Sequence, residues 1–134
     1  MTKTVKTTAV SKNNYKSYQE KSDQFFNVMN TCLSDREWDA VLLNGVHAAI
    51  SINDALCVFR LGLRSTSKMH QDSVRLLIQA DPTSDGKKNA TRLADILNQK
   101  HEIEYEPRRF KESEARQFAE KVARFKNWAE KHIP

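Results

Sequence analysis

The sequence predicts an all-α protein, an up-and-down four-helix bundle with one additional short helix. In four long stretches and one shorter one, apolar residues recur at steps of three and four, the period of a single helix face. No stretch alternates apolar and polar residues for long enough to make a sheet. The only breakers are Gly45, Gly62 and Gly86 with Pro82, Pro107 and Pro134, too few for a turn-rich β architecture. Short connections then set consecutive helices antiparallel.

Residues 1–13 are polar, rich in Thr, Lys and Ser and without periodicity, so they are expected to be a flexible basic arm. Residues 14–134 are expected to form one domain, since a chain of 134 residues can bury a core without disulfides or metal. Tyr15, Tyr18, Ser22, Phe25, Phe26, Met29, Cys32 and Leu33 mark the first helix. Ser34 with Glu37 three residues on reads as a capping box opening the second helix, and Gly62 as its C-cap. Thr66 or Ser67 is expected to cap a short third helix carrying Val74, Leu76, Leu77 and Ile78. The segment from Asp81 to Gly86 breaks it, and a fourth helix is expected from about Lys87 to Ile103. Pro107 closes that region, and the last helix is expected from about Glu112 to His132.

The second helix organises the rest. Trp38, Leu42, Gly45, Ala49, Ile52, Leu56 and Phe59 form one apolar stripe that needs partner helices. Asn44, His47, Ser51 and Asp54 step by three, four and three along a different face, and are expected to lie outside the core. Such a polar stripe suits a groove that holds a base or ribose edge, with His47 and Asp54 as proton donor and acceptor. It suits still better a solvated face or a hydrogen-bonded strip in a dimer interface, since helix faces with a few polar residues are commonplace.

The net charge of +5 belongs mostly to the arm: residues 1–18 carry four lysines and no acid, leaving 18 bases against 17 acids in the remainder. General nucleic-acid binding through bulk charge is therefore disfavoured. The positive charge that remains is local. Residues 19–59 hold 2 bases and 6 acids, whereas residues 60–111 hold 11 bases and 7 acids. Within that basic segment Arg60, Arg64, Lys68, His70 and Arg75 gather about a loop beside a helix start, a setting for phosphate or for plain solvation. Tyr105, Arg108 and Arg109 make a second cluster, able to stack on a base, or to anchor a loop while the arginines pair with Glu104 and Glu106.

Cys32 and Cys57 sit at apolar helix positions, as reduced buried thiols do. No His spacing suits a metal and no glycine-rich phosphate loop exists, so no metal and no cofactor are expected. No run approaches about 18 apolar residues and no signal segment opens the chain, so a cytoplasmic protein without membrane contact is expected.

The stretches NYKSYQEKSDQFF, REWDAVLLNGVHAAISINDALCVFRLGLRS, LADILNQKHEIEYEPRRF and ARQFAEKVARFKNWAEKHI together resemble a HEPN domain, the higher eukaryote and prokaryote nucleotide-binding domain. The resemblance covers about residues 14–132. It implies a five-helix bundle, commonly a homodimer. Members serve as the small partner of a minimal nucleotidyltransferase, or as metal-independent ribonucleases in toxin-antitoxin and defence systems. Catalytic members carry Arg, four to six residues, then His on a late helix. Here Arg64 and His70 have that spacing but follow the second helix. The resemblance therefore favours a non-catalytic module that homodimerises and engages a nucleotidyltransferase, a nucleotide or RNA. The alternatives are an endoribonuclease using Arg64 with His70 or His47, and a self-associating helical scaffold.

Overall fold

A computed structural model of the chain describes residues 5–134. The chain is mostly helical, with α1 at Tyr15–Ser34, α2 at Trp38–Leu61, α3 at His70–Ala80, α4 at Ser84–Leu97, α5 at Lys100–Tyr105 and α6 at Glu112–Glu130. Two short strands, β1 at Thr7–Ala9 and β2 at Leu63–Ser65, pair antiparallel.

Helix α2 is the centre, and α1, α3, α4, α5 and α6 all pack on it. The expected apolar stripe is buried at Leu42, Gly45, Ala49, Ile52 and Leu56, with Trp38 and Phe59 half-buried at its ends. The burial extends further than one stripe, because Val41, Val46, Ala48, Ala55 and Val58 are also fully enclosed. Alanines on several faces let neighbours approach from several directions. By length and composition α2 could cross a membrane, with a mean hydropathy of 1.4, but 72% of that window is buried inside the protein. Its hydropathy is that of a core helix.

Gly45 sets the closest approach. A Cβ there would lie 2.8 Å from Cε1 of Phe118, 3.1 Å from Sδ of Met29 and 3.2 Å from Cγ2 of Val122, so α1 and α6 both close on this point. Polar ties complete the joints. Ser22 Oγ donates to the buried Ala48 carbonyl at 2.8 Å. The nearly buried Lys126 donates to Asp23 at 2.6 Å and to Glu130, joining α6 to α1.

The helix ends differ from expectation in instructive ways. Ser34 is not a cap: it is the last residue of α1, and the N-cap of α2 is Glu37, without a side-chain bond. The cause is a Schellman closure of α1, in which Arg36 takes φ 60° while Glu37 N–H reaches Cys32 O at 2.9 Å and Arg36 N–H reaches Leu33 O at 3.3 Å. Gly62 does cap α2, at φ 66°, with its N–H on Val58 O at 2.9 Å. Neither Thr66 nor Ser67 is the N-cap of α3, which is Met69; Ser67 instead accepts from Met69 N–H at 3.0 Å and donates to Asp72 at 2.6 Å. Thr83 caps α4, its hydroxyl accepting from Gly86 N–H at 3.0 Å, so the helix starts inside the segment expected to be a loop. The expected fourth helix ends at Leu97, and α5 follows after Asn98 and Gln99.

The expectations of a sheet-free chain and a flexible arm are corrected for residues 5–13. Thr7 faces Ser65, Thr8 faces Arg64 and Ala9 faces Leu63. Val5 is buried against Cys57, Leu76 and Ala80. Three-residue strands are too short to show alternation, and their pairing joins positions far apart in the chain. Residues 1–4 of the arm lie outside the described residues.

Replacing Gly45 by Val should lower stability by about 2–3 kcal/mol, because overpacking three side chains outweighs the loss of a helix-weakening glycine. Urea unfolding checks this; an unchanged midpoint would contradict the close approach of Phe118 and Met29.

Candidate functional site

A cleft of about 720 Å³ opens beside the middle of α2. Ile50 and Asp54 of α2 and Leu97 of α4 form its floor. One wall is β2 and its connection to α3, contributing Arg64, Ser65, Thr66, Ser67 and Lys68, then His70 and Ser73. The facing wall is α5, contributing Lys100, His101, Glu104 and Tyr105. Positions 100, 101, 104 and 105 of α5 share one helical face, which is why a six-residue helix presents these four side chains to one side.

Asp54 and Arg64 link floor to wall. Arg64 Nε donates to Asp54 Oδ2 at 3.1 Å, and the guanidinium also lies 5.6 Å from the Tyr18 ring centre. Asp54 is 7% exposed. Burial raises its pKa to about 6 despite the opposing pull of Arg64 and Lys21. Burial also lowers the pKa of His70, helped by Lys100 and opposed by Glu104. His70 is therefore a neutral imidazole at neutral pH, able to accept a proton. Across the cleft, the His101 and Tyr105 rings lie 5.3 Å apart, and Tyr105 is 72% exposed. Lys100 and Glu104 are 3.9 Å apart on the same wall.

The predicted polar stripe divides. Asp54 reaches the cleft and meets Arg64 there. His47 sits beside it rather than in its lining, its ring centre 5.2 Å from that of Phe25, and burial, then Lys100, lowers its pKa. Ser51 is buried. Asn44 donates to its own helix at Ala40 O, 2.9 Å away. Neither Asn44 nor Ser51 lines the cleft.

The first basic cluster also divides. Arg64, Lys68 and His70 converge on the cleft. Arg60 turns to Ala80 O at 3.3 Å and to His132 Nδ1 at 3.0 Å, and Arg75 pairs with Asp72 at 3.0 Å. In the second cluster only Tyr105 belongs to the cleft. Arg108 pairs with Glu102 at 3.3 Å and with Glu114, over the Phe110 ring, and Arg109 pairs with Asp39 at 2.7 Å. The acids they hold are not Glu104 and Glu106, because Asp39 and Glu114 lie on helices folded against this loop.

Lys100, His101 and Glu104 were missed, although their shared helical face with Tyr105 was legible in the spacing. Ser65, Thr66, Ser67 and Ser73 could not be found that way, since the strand and the helix start place them. Among the described residues no group of three or more His, Cys, Asp or Glu could hold a metal ion. The arrangement instead offers cations for phosphate, hydroxyls for further hydrogen bonds, and exposed rings for stacking. No protein-family model matches the chain, and no curated protein matches it in sequence.

The raised pKa of Asp54 fixes a sign. Its carboxyl holds its proton more tightly folded than unfolded, so ionisation costs stability as pH rises from about 4 and the whole cost is present above about 6. The shift corresponds to about 3 kcal/mol. Between pH 4 and 7, Asp54→Asn should remove a downward slope in unfolding free energy that the unaltered protein shows. Parallel urea titrations of the two proteins check this, and equal slopes would refute it.

Proposed function

We propose that the protein is a HEPN-like helical binding module whose cleft takes a nucleotide or a short single-stranded RNA segment. The observation that carries this reading is the convergence of Arg64, Lys68 and Lys100 with the rings of His101 and Tyr105 in one open cleft. Three cations face two carboxylates; Asp54 is paired with Arg64 and Glu104 lies 3.9 Å from Lys100, so the lining keeps one positive charge in excess, carried by Lys68, which favours an anion. Lys68 and Lys100 meet phosphates from opposite walls, and Tyr105 stacks on a base. In this reading the helices around α2 are an up-and-down bundle, and the protein is the non-catalytic partner of a minimal nucleotidyltransferase.

Binding to a labelled oligouridylate, followed by fluorescence anisotropy, tests the site. Lys68→Ala and Lys100→Ala should each weaken binding and reduce the slope of log affinity against log salt by about one. Tyr105→Ala should cost about 1–3 kcal/mol with little change in salt slope. Arg124→Ala, on the exposed face of α6, serves as control. Binding unaffected by both lysine substitutions would overturn the reading.

One observation favours a second reading. Arg64 and His70 share this cleft, with His101 on the facing wall, which suits a metal-independent ribonuclease. RNA incubated in EDTA should remain intact under the first reading. Cleavage that His70→Ala abolishes would replace it with the second.

A homodimer is part of the proposal, because the HEPN resemblance implies one. Light scattering coupled to size exclusion should give twice the chain mass, and a monomer at high concentration would sink this element.

A further inference from the structure

The cleft wall that carries Arg64 is a three-residue strand with one strand partner. Among the described residues strand β2 pairs only with β1, in a sheet of two. The clamp extends beyond the strands at both ends. Val10 N–H donates to Gly62 O at 2.9 Å, and Thr66 N–H donates to Lys6 O at 3.0 Å. Thr8 stands opposite Arg64, midway between those two bonded pairs, so the alternation of an antiparallel ladder makes Thr8 and Arg64 a hydrogen-bonded pair as well. Five consecutive positions, 62–66, are thus aligned by residues 6–10.

The N-terminal segment has its own anchors. Val5 is 7% exposed and closes a small apolar cluster of Cys57, Leu76 and Ala80, separate from the main core. At the other end a single 3-10 turn, Lys12–Asn14, packs on α2, and the Tyr15 ring meets Phe59 edge-on at 5.2 Å. The segment therefore spans from the α2–α3 junction to the start of α1, crossing β2 on the way. A strand pair this short does not hold itself in water without such anchors.

We propose that residues 5–10 are a positioning strap for the cleft, which by pairing with Leu63–Ser65 holds Arg64 between Asp54 and Tyr18 and keeps the Ser65–Lys68 wall in place for the ligand. This rests on the cleft being the binding site. Arg64 touches the cleft directly; Val5 and Thr8 act through it. With the strap unpaired, the backbone groups of β2 turn to water, and ordering the wall again is charged against ligand binding. Within residues 5–10, Val5 belongs to the smaller cluster and Val10, partly buried, packs on the edge of the main core, so the helices should persist without the strand pairing.

The full-length chain tests this with two substitutions that unseat the strap by different means. Val5→Asp places a carboxylate in the small apolar cluster. Thr8→Pro removes the ladder donor opposite Arg64. Both should weaken binding of a labelled oligouridylate by tenfold or more, with unchanged helical circular dichroism. Amide hydrogen exchange should quicken at residues 62–68 and stay slow in α1, α2 and α6. Ala9→Cys with Leu63→Cys, a directly opposed non-hydrogen-bonded pair, then provides a tether on the Val5→Asp background. Oxidation should restore binding, and reduction should abolish the gain. Wild-type affinity in both single variants would overturn the strap while leaving the cleft standing. No binding by the unaltered protein would sink the cleft and the strap together.

Discussion

Enclosure of α2 is the constraint from which the rest follows. A helix buried from Val41 to Val58 on nearly every side has to be surrounded, and the other helices take the positions that surround it. Small residues decide how near they come. At Gly45 the side chains of Phe118, Met29 and Val122 occupy the space a Cβ would need, so α1 and α6 close on α2 at a single level. Polar groups on the enclosed faces of α2, Ser51, Asn53 and Asp54, are drawn inward with it.

That is the origin of the site. Asp54 is buried because it belongs to α2, and burial of a carboxylate is costly unless a cation or donor meets it. Arg64 meets it from β2. The ion pair joins the central helix to a wall that lies outside the helical packing, and the cleft forms where that wall stands apart from α5. Lys68, Lys100 and the His101 and Tyr105 rings face the gap because the wall and α5 both turn their polar faces toward it. The strand β1 completes the arrangement from a distance, since among the described residues β2 has no other strand to align it.

Much of the helical architecture was legible in the residues, but not the details of its ends. Spacing located α1, α2 and α6 because a 3.6-residue period is a local property. The caps were less legible. Ser34 with Glu37 has the composition of a capping box, yet the Schellman closure through Arg36 consumes the same backbone groups. The run from Asp81 to Gly86 reads as a breaker, yet Thr83 turns it into a helix start. Within the candidate site, the Arg64, Lys68, His70 and Tyr105 group was visible as charge and aromaticity. Arg108 and Arg109 look the same in sequence, and only their pairing with Glu102, Glu114 and Asp39 removes them.

By itself the sequence determined a mostly helical chain organised on one apolar helix, the left-handed cap at Gly62, and the two buried cysteines. These depend on composition and short-range spacing, which a chain carries wherever it folds. Tertiary structure alone decided that residues 7–9 pair with residues 63–65 and that α5 faces the β2–α3 connection across a cleft. It also decided that Asp54, rather than the whole polar stripe, reaches that cleft. Each of these joins residues far apart in the chain, and no local period records which distant partner a strand, a charge or a helix face will meet.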